Sequence, residues 1–129
     1  MPVPGPVSQE TAAGLATEWI AAWNAHDLER ILSHYAEDFE MRSPLIVERG
    51  IDAGGVLRGK PAVRAYWQAA LAAAVPPVRF ELQGVYAGVG TVAIHYLSVG
   101  RRMVIELLEL DAEGRIARGH GIYALDPPA

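Results

Sequence analysis

From residue 9 onward apolar side chains recur at three- and four-residue intervals. Ala12, Leu15, Ala16, Trp19, Ile20 and Trp23 share one helical face behind a plausible N-cap at Ser8, and this spacing predicts a helix from about Gln9 to Ala25. Asn24-Ala-His-Asp27 interrupts the pattern, and Asp27 can cap a second helix with Leu28, Ile31, Leu32 and Tyr35 on one face. Helices joined this tightly form an αα-hairpin. Phe39, Met41 and Ser43 then alternate with Glu40 and Arg42, which predicts a short strand ended by Pro44. Residues 45–58 hold Gly50, Gly54 and Gly55 without a clean period and read as a long loop. Gly59-Lys60-Pro61 opens a third helix with Val63, Trp67, Ala70, Leu71 and Ala74 as its buried stripe, and Pro76-Pro77 stops it.

Past residue 78 the period changes from helical to alternating. Four β-like segments follow, at 78–87, 90–99, 102–110 and 115–125, separated by short turns that contain glycine. Helices first and antiparallel strands afterwards predict an α+β domain with three N-terminal helices packed on one face of a mostly antiparallel sheet. Long antiparallel sheets twist and curl, so helices covering one leave an apolar pocket inside.

Composition narrows the function classes. A chain of 129 residues, 51% hydrophobic and 20% charged, is one domain with a full core. It contains no cysteine, which excludes a disulfide framework and a thiolate metal site and fits a reducing, cytoplasmic location. The net charge of −4 and the scattered basic residues argue against nucleic acid as a partner, and no apolar run approaches the ~20 residues of a membrane span. The opening residues, rich in proline, lack the regions of a signal peptide; residues 1–8 are expected to be a loose arm and 9–126 the domain.

Particular residues carry a resemblance. Trp23-Asn-Ala-His-Asp27-Leu, Tyr35-Ala-Glu-Asp38-Phe, Ser43-Pro44, Leu57-Arg-Gly-Lys60 and the run Glu106-Leu-Leu-Glu-Leu-Asp-Ala-Glu-Gly-Arg-Ile116 resemble the SnoaL-like branch of the nuclear transport factor 2-like superfamily, over about residues 9–125. Ketosteroid isomerases, polyketide cyclases, scytalone dehydratase and limonene epoxide hydrolase are its enzymatic relatives. The resemblance implies a cone-like, cystatin-type roll around a hydrophobic pocket, and a homodimer. The fold hosts enzymes and binding domains alike, so activity has to be argued from the site. Position by position, the ketosteroid isomerase pattern is mostly broken. Its base, an aspartate before a proline, corresponds to Ser43, and its oxyanion-hole tyrosine corresponds to Trp19. The second oxyanion-hole acid corresponds to Glu106; in those relatives an apolar site keeps it protonated so that it donates a hydrogen bond. Classical steroid isomerisation is therefore not expected. The Arg-x-Asp signature of the epoxide hydrolases is also absent, since Met103 and Val104 follow Arg101-Arg102.

Glu106 lies among Val104, Ile105, Leu107 and Leu108, and a carboxylate there is either a solvated edge-strand residue or a cavity-facing group. If Gly100-Arg101 is a two-residue hairpin turn, His95 falls directly opposite Glu106, and the two form a candidate catalytic pair with histidine as base. A histidine on a strand that is merely packed or hydrogen-bonded is the alternative. His26 and His34 read as solvated. Alternation puts His120 and Ile122 on the outer face, with Gly119, Gly121 and Tyr123 inward. The ligand-binding wall is expected from Trp19, Trp23, Tyr35, Phe39, Met41, Ser43, Tyr66, Trp67, Leu108 and Tyr123. No residues have metal-ligand spacing, and no cofactor is expected. These residues point to a small apolar molecule as partner, to a homodimer through the outer sheet face, and to proton-transfer chemistry of the isomerase, cyclase or dehydratase kind. The competing expectation is a noncatalytic ligand-binding or dimerisation module of the same fold.

Overall fold

Ser8 starts helix α1 (Gln9–Asn24), its hydroxyl oxygen accepting the Thr11 N–H at 3.1 Å. In this computed structural model, which describes residues 5–125, the helix turns its Ala12, Ala16, Trp19, Ala22 and Trp23 inward, as the spacing requires. Asp27 caps α2 (Leu28–Leu32) by accepting the Arg30 N–H at 3.1 Å. The second helix stops short of Tyr35. That residue, expected on the helical face, instead opens strand β1 (Tyr35–Arg42), because the sheet claims it: Tyr35 is in register with Ile116, and its hydroxyl accepts the Trp19 indole N–H at 2.9 Å. An irregularity between Tyr35 and Glu40 breaks the strict alternation of β1, which hid the first half of the strand.

The segment 45–58 is not the structureless loop expected. Ser43 and Pro44 act as N-cap and first turn of a fourth helix, α3 (Pro44–Glu48), with the Ser43 hydroxyl accepting the Leu45 N–H at 3.2 Å. Strand β2 (Val56–Arg58) then pairs antiparallel with β1. Five residues of helix and three of strand are too short to show a period. Helix α4 (Lys60–Ala73) buries Val63, Tyr66 and Trp67, whereas Ala70, Leu71 and Ala74 are only half-buried.

Strands β3 (Glu81–Ala87), β4 (Thr91–Leu97), β5 (Met103–Leu110) and β6 (Ile116–Tyr123) form an antiparallel meander. The six-stranded sheet runs β2-β1-β6-β5-β4-β3, and among the described residues only the β1–β6 pair is parallel. This is the expected α+β arrangement of N-terminal helices and a curved, mostly antiparallel sheet. The arm is less loose than expected where it is described: Pro6 bridges to Val89, and the Val7 N–H donates to the Gly88 carbonyl at 2.9 Å. Residues 1–4 of that arm, and residue 126, lie outside the described residues.

An aromatic layer joins helices to sheet. Trp19 stacks on Phe80 at 5.8 Å and 18°, and Trp23 meets Trp67 edge-on at 5.1 Å. Asn24 locks the layer in place. Its amide donates to the Phe80 carbonyl at 3.0 Å and its side-chain oxygen accepts the Phe80 N–H at 2.7 Å, tying the end of α1 to the approach to β3. Asn24→Ala orphans both part-buried backbone groups, so urea denaturation should show a loss of about 1–3 kcal/mol.

Candidate functional site

Alternation along β5 turns Val104, Glu106 and Leu108 inward and exposes Met103 and Ile105 on the outer face. Glu106 thus sits in the inner wall, 8% exposed. Opposite it on β6 stands Gly121. A Cβ there would lie 3.5 Å from Glu106 Oε1 and 3.3 Å from Ser43 Oγ, so the missing side chain makes the room in which the carboxyl rests. The Tyr96 hydroxyl donates to Glu106 Oε1 at 3.0 Å. Burial lifts the Glu106 carboxyl to about 8, and the Tyr96 hydrogen bond only partly opposes this. At pH 7 the group is therefore mostly protonated, with a proton free to donate. Burial, reinforced by Glu106, also pushes the Tyr35, Tyr96 and Tyr123 hydroxyls up, so these remain neutral donors.

The pairing expected between His95 and Glu106 does not form. The β4–β5 turn holds three residues rather than two: the Ser98 N–H donates to the Arg102 carbonyl at 2.7 Å around Val99-Gly100-Arg101, with φ of 75° at Gly100 and 63° at Arg101. The extra residue slips the register by one, so His95 opposes Ile105 and Glu106 opposes Ile94. His95 consequently lies on the outer face beside Tyr86, with 6.5 Å between ring centroids. Tyr96, its neighbour in sequence, takes the inward place. His26 is exposed, as read, and also lies 2.7 Å from the Val78 carbonyl, whereas His34 is half-buried, 3.2 Å from Glu18. His120 is on the outer face, 2.7 Å from Glu109.

Glu106 faces a cavity of about 350 Å³. Of the wall expected from sequence, Trp19, Trp23, Met41, Tyr66, Trp67 and Tyr123 line it. Tyr35, Phe39, Ser43 and Leu108 do not. Tyr35, Phe39 and Leu108 are packed behind the lining, essentially unexposed, and Ser43 is spent on capping α3 beside Gly121. Sequence reasoning missed Leu45 and Arg49 from α3 and its cap, Ala74 and Val75 beyond α4, Tyr96, and Arg102 at the turn into β5. Tyr96 was legible in the alternation Val92, Ile94, Tyr96. The arginines carried no comparable signal. Each lies over a lining tyrosine: Arg102 is 4.6 Å from the Tyr123 ring centroid and Arg49 5.5 Å from that of Tyr66. Among the described residues no three histidine, aspartate or glutamate side chains converge as metal ligands.

Comparison with known proteins agrees with this architecture. A search among curated proteins finds no match. Among solved structures, a SnoaL-like protein of unknown function from Burkholderia thailandensis E264 is 44% identical, with a TM-score of 0.89 over 93% of this chain and 99% of that one. A protein described as a candidate isomerase of the SnoaL-like family, from Agrobacterium tumefaciens C58, is 22% identical, with a TM-score of 0.69 over 88% of this chain and 97% of that one. A protein from Methylobium petroleophilum PM1, of unknown function and cystatin-like fold, is 18% identical, with a TM-score of 0.72 over 99% of this chain and 82% of that one. The family model of the SnoaL-like domain matches residues 16–125, and the chain belongs to that family.

Proposed function

We propose that the cavity binds a small, largely apolar, enolisable molecule and moves a proton on it without a cofactor, with Glu106 as the proton carrier. The observation that carries this reading is a buried carboxyl in the wall of an apolar cavity, held by Tyr96 and titrating near neutrality. At pH 7 about a tenth of such a group is ionised. The carboxylate takes the proton from the carbon next to a substrate carbonyl, the electron pair moves onto the carbonyl oxygen, and the new Glu106 acid returns the proton to another carbon. In this reading the hydroxyl of Tyr123, a residue lining the same cavity, donates to the developing oxyanion. This is chemistry of the isomerase, cyclase or dehydratase kind, and it differs from a two-residue mechanism because His95 and Ser43 lie outside the cavity wall.

One observation favours a second reading. Among the described residues Glu106 is the sole carboxylate in the lining, with no histidine beside it, which suits a noncatalytic binding module as well. Proton NMR in D₂O, following exchange next to the carbonyl in a panel of cyclic ketones and lactones, separates the two. The catalytic reading expects exchange that rises with pH through about 8 and vanishes in Glu106→Gln. Tight binding with no exchange anywhere in the panel would leave the binding module.

We propose in addition that two copies associate through the outer sheet face. Met103, Ile105 and Ile122 stand 37–48% exposed there, an apolar band that a second copy would cover. Sedimentation velocity should show a dimer for the native chain and a monomer for Ile105→Lys/Ile122→Glu; a native monomer contradicts the proposal. Lacking cysteine, the chain suits a reducing cytoplasm. No helix among the described residues is long and apolar enough to cross a membrane.

A further inference from the structure

The charge of the cavity runs against that of the protein. The chain carries a net −4, yet among the described residues the charged or chargeable lining side chains, tyrosines aside, are Arg49, Arg102 and Glu106. Arg49 follows α3 and Arg102 precedes β5, so two separate elements deliver a guanidinium to one opening. Both residues are solvent-exposed, which puts them at the cavity's outer end, while Glu106 and the tryptophans form the interior. Neither arginine makes an ion pair among the described residues, whereas Arg30, Arg42, Arg58, Arg64 and Arg118 all do. Each is instead steadied over the face of a lining tyrosine, which orders the side chain without neutralising it.

We propose that the natural ligand is an apolar carboxylic acid, seated with its hydrocarbon body among Trp19, Trp23 and Trp67 and its carboxylate held by Arg49 and Arg102. A guanidinium is a planar fork of donors suited to a carboxylate, and a carboxylate has two oxygens to share between two forks. A mouth with two cations in front of an interior without a fixed charge attracts an amphipathic anion, orients it head outward, and rejects an amphipathic cation. The cavity volume, at the lower end of the roughly 300–1,000 Å³ of small-molecule sites, limits the body to a few fused rings or a short chain.

The inference rests on reading the cavity as a small-molecule site, and titration calorimetry at pH 7 can fail the two separately. The probes are two matched pairs, 2-naphthoate with 2-naphthamide and 4-phenylbutyrate with 4-phenylbutyramide. At least one acid is expected to bind about tenfold more tightly than its amide, and Arg49→Gln or Arg102→Gln should each weaken that acid by about tenfold while changing the amide far less. Both variants sit at exposed positions, and an unchanged melting temperature checks that they fold. Acid and amide binding equally, or losing equally in the arginine variants, overturns the anion preference and leaves the cavity reading intact. No binding of any of the four probes overturns both.

Discussion

Replacing Glu106 with glutamine should stabilise the fold at neutral pH and flatten its dependence on pH. The folded carboxyl holds its proton up to about pH 8, whereas in the unfolded chain it is lost near 4.5. Between those values the folded state binds one more proton than the unfolded state, so stability contributed by the neutral acid, fully present below 4.5, drains away as pH rises toward 8. Each pKa unit is worth about 1.4 kcal/mol, and the loss between pH 4.5 and 7 is about 3 kcal/mol. Glutamine has the same shape, carries no titrating proton, and its oxygen still accepts from Tyr96. Other carboxylates work in the opposite sense. Glu18 is held down to about 2 by its hydrogen bonds to Arg30 and His34, and Glu40, despite its burial, is held below its usual range by Arg42, Arg58 and Arg118; stability from these two is lost as pH falls. They are common to both proteins, so the difference between the two urea-denaturation series isolates Glu106. It should grow from near zero at pH 4.5 to about 3 kcal/mol at pH 7 and level off above 8. A difference that does not change with pH would mean that the carboxyl titrates alike folded and unfolded.

Trp19→Ala should be the most damaging single truncation in the aromatic layer. The indole, 2% exposed, lies 5.3 Å from the Tyr96 ring, 5.8 Å from Phe80 and 5.9 Å from Trp23, and its N–H satisfies the Tyr35 hydroxyl. Its removal opens a void and orphans a buried hydroxyl, costing about 3–5 kcal/mol, a large part of the roughly 5–15 kcal/mol that holds a domain together. Trp19→Phe keeps most of the packing and loses the hydrogen bond, so it should fall between the two. Chemical denaturation reads both, and a loss below about 1 kcal/mol for the alanine variant would show that the layer does not depend on this residue. The same side chain lines the cavity, so core and site are one structure here: what stabilises the fold also shapes the space for a ligand.

The architecture was legible because its signals are local and repeated. Ser8 and Asp27 mark helix starts, six apolar residues at helical spacing mark α1, and alternation along β4 and β5 marks a meander. Glu106 was legible for the same reason, a carboxyl with apolar residues on both sides of it in the strand. What escaped depends on one residue or on distant partners. The cross-strand partner of Glu106 turned on whether a turn held two residues or three, a choice decided by Gly100 and Arg101 both entering the left-handed region, which arginine rarely does. Tyr35 looked helical by spacing, but the parallel partnership with β6 and the Trp19 hydrogen bond are invisible to local periodicity. Ser43-Pro44 carried a helix-start signal, yet five residues cannot declare an amphipathic face, so α3 went unseen and Arg49 with it.

The proposed proton transfer depends on Glu106 being a buried carboxyl that changes charge near pH 8, neutral for the most part at pH 7 and working as the carboxylate. Carbon-13 NMR of the chain labelled at glutamate side-chain carboxyls, titrated from pH 3 to 10 and assigned with Glu106→Gln, measures this directly. The expected result is one carboxyl resonance titrating near pH 8, present in the native chain and missing from the variant. If every glutamate carboxyl titrates below about pH 5, Glu106 is an ordinary carboxylate and the proton-transfer account is wrong.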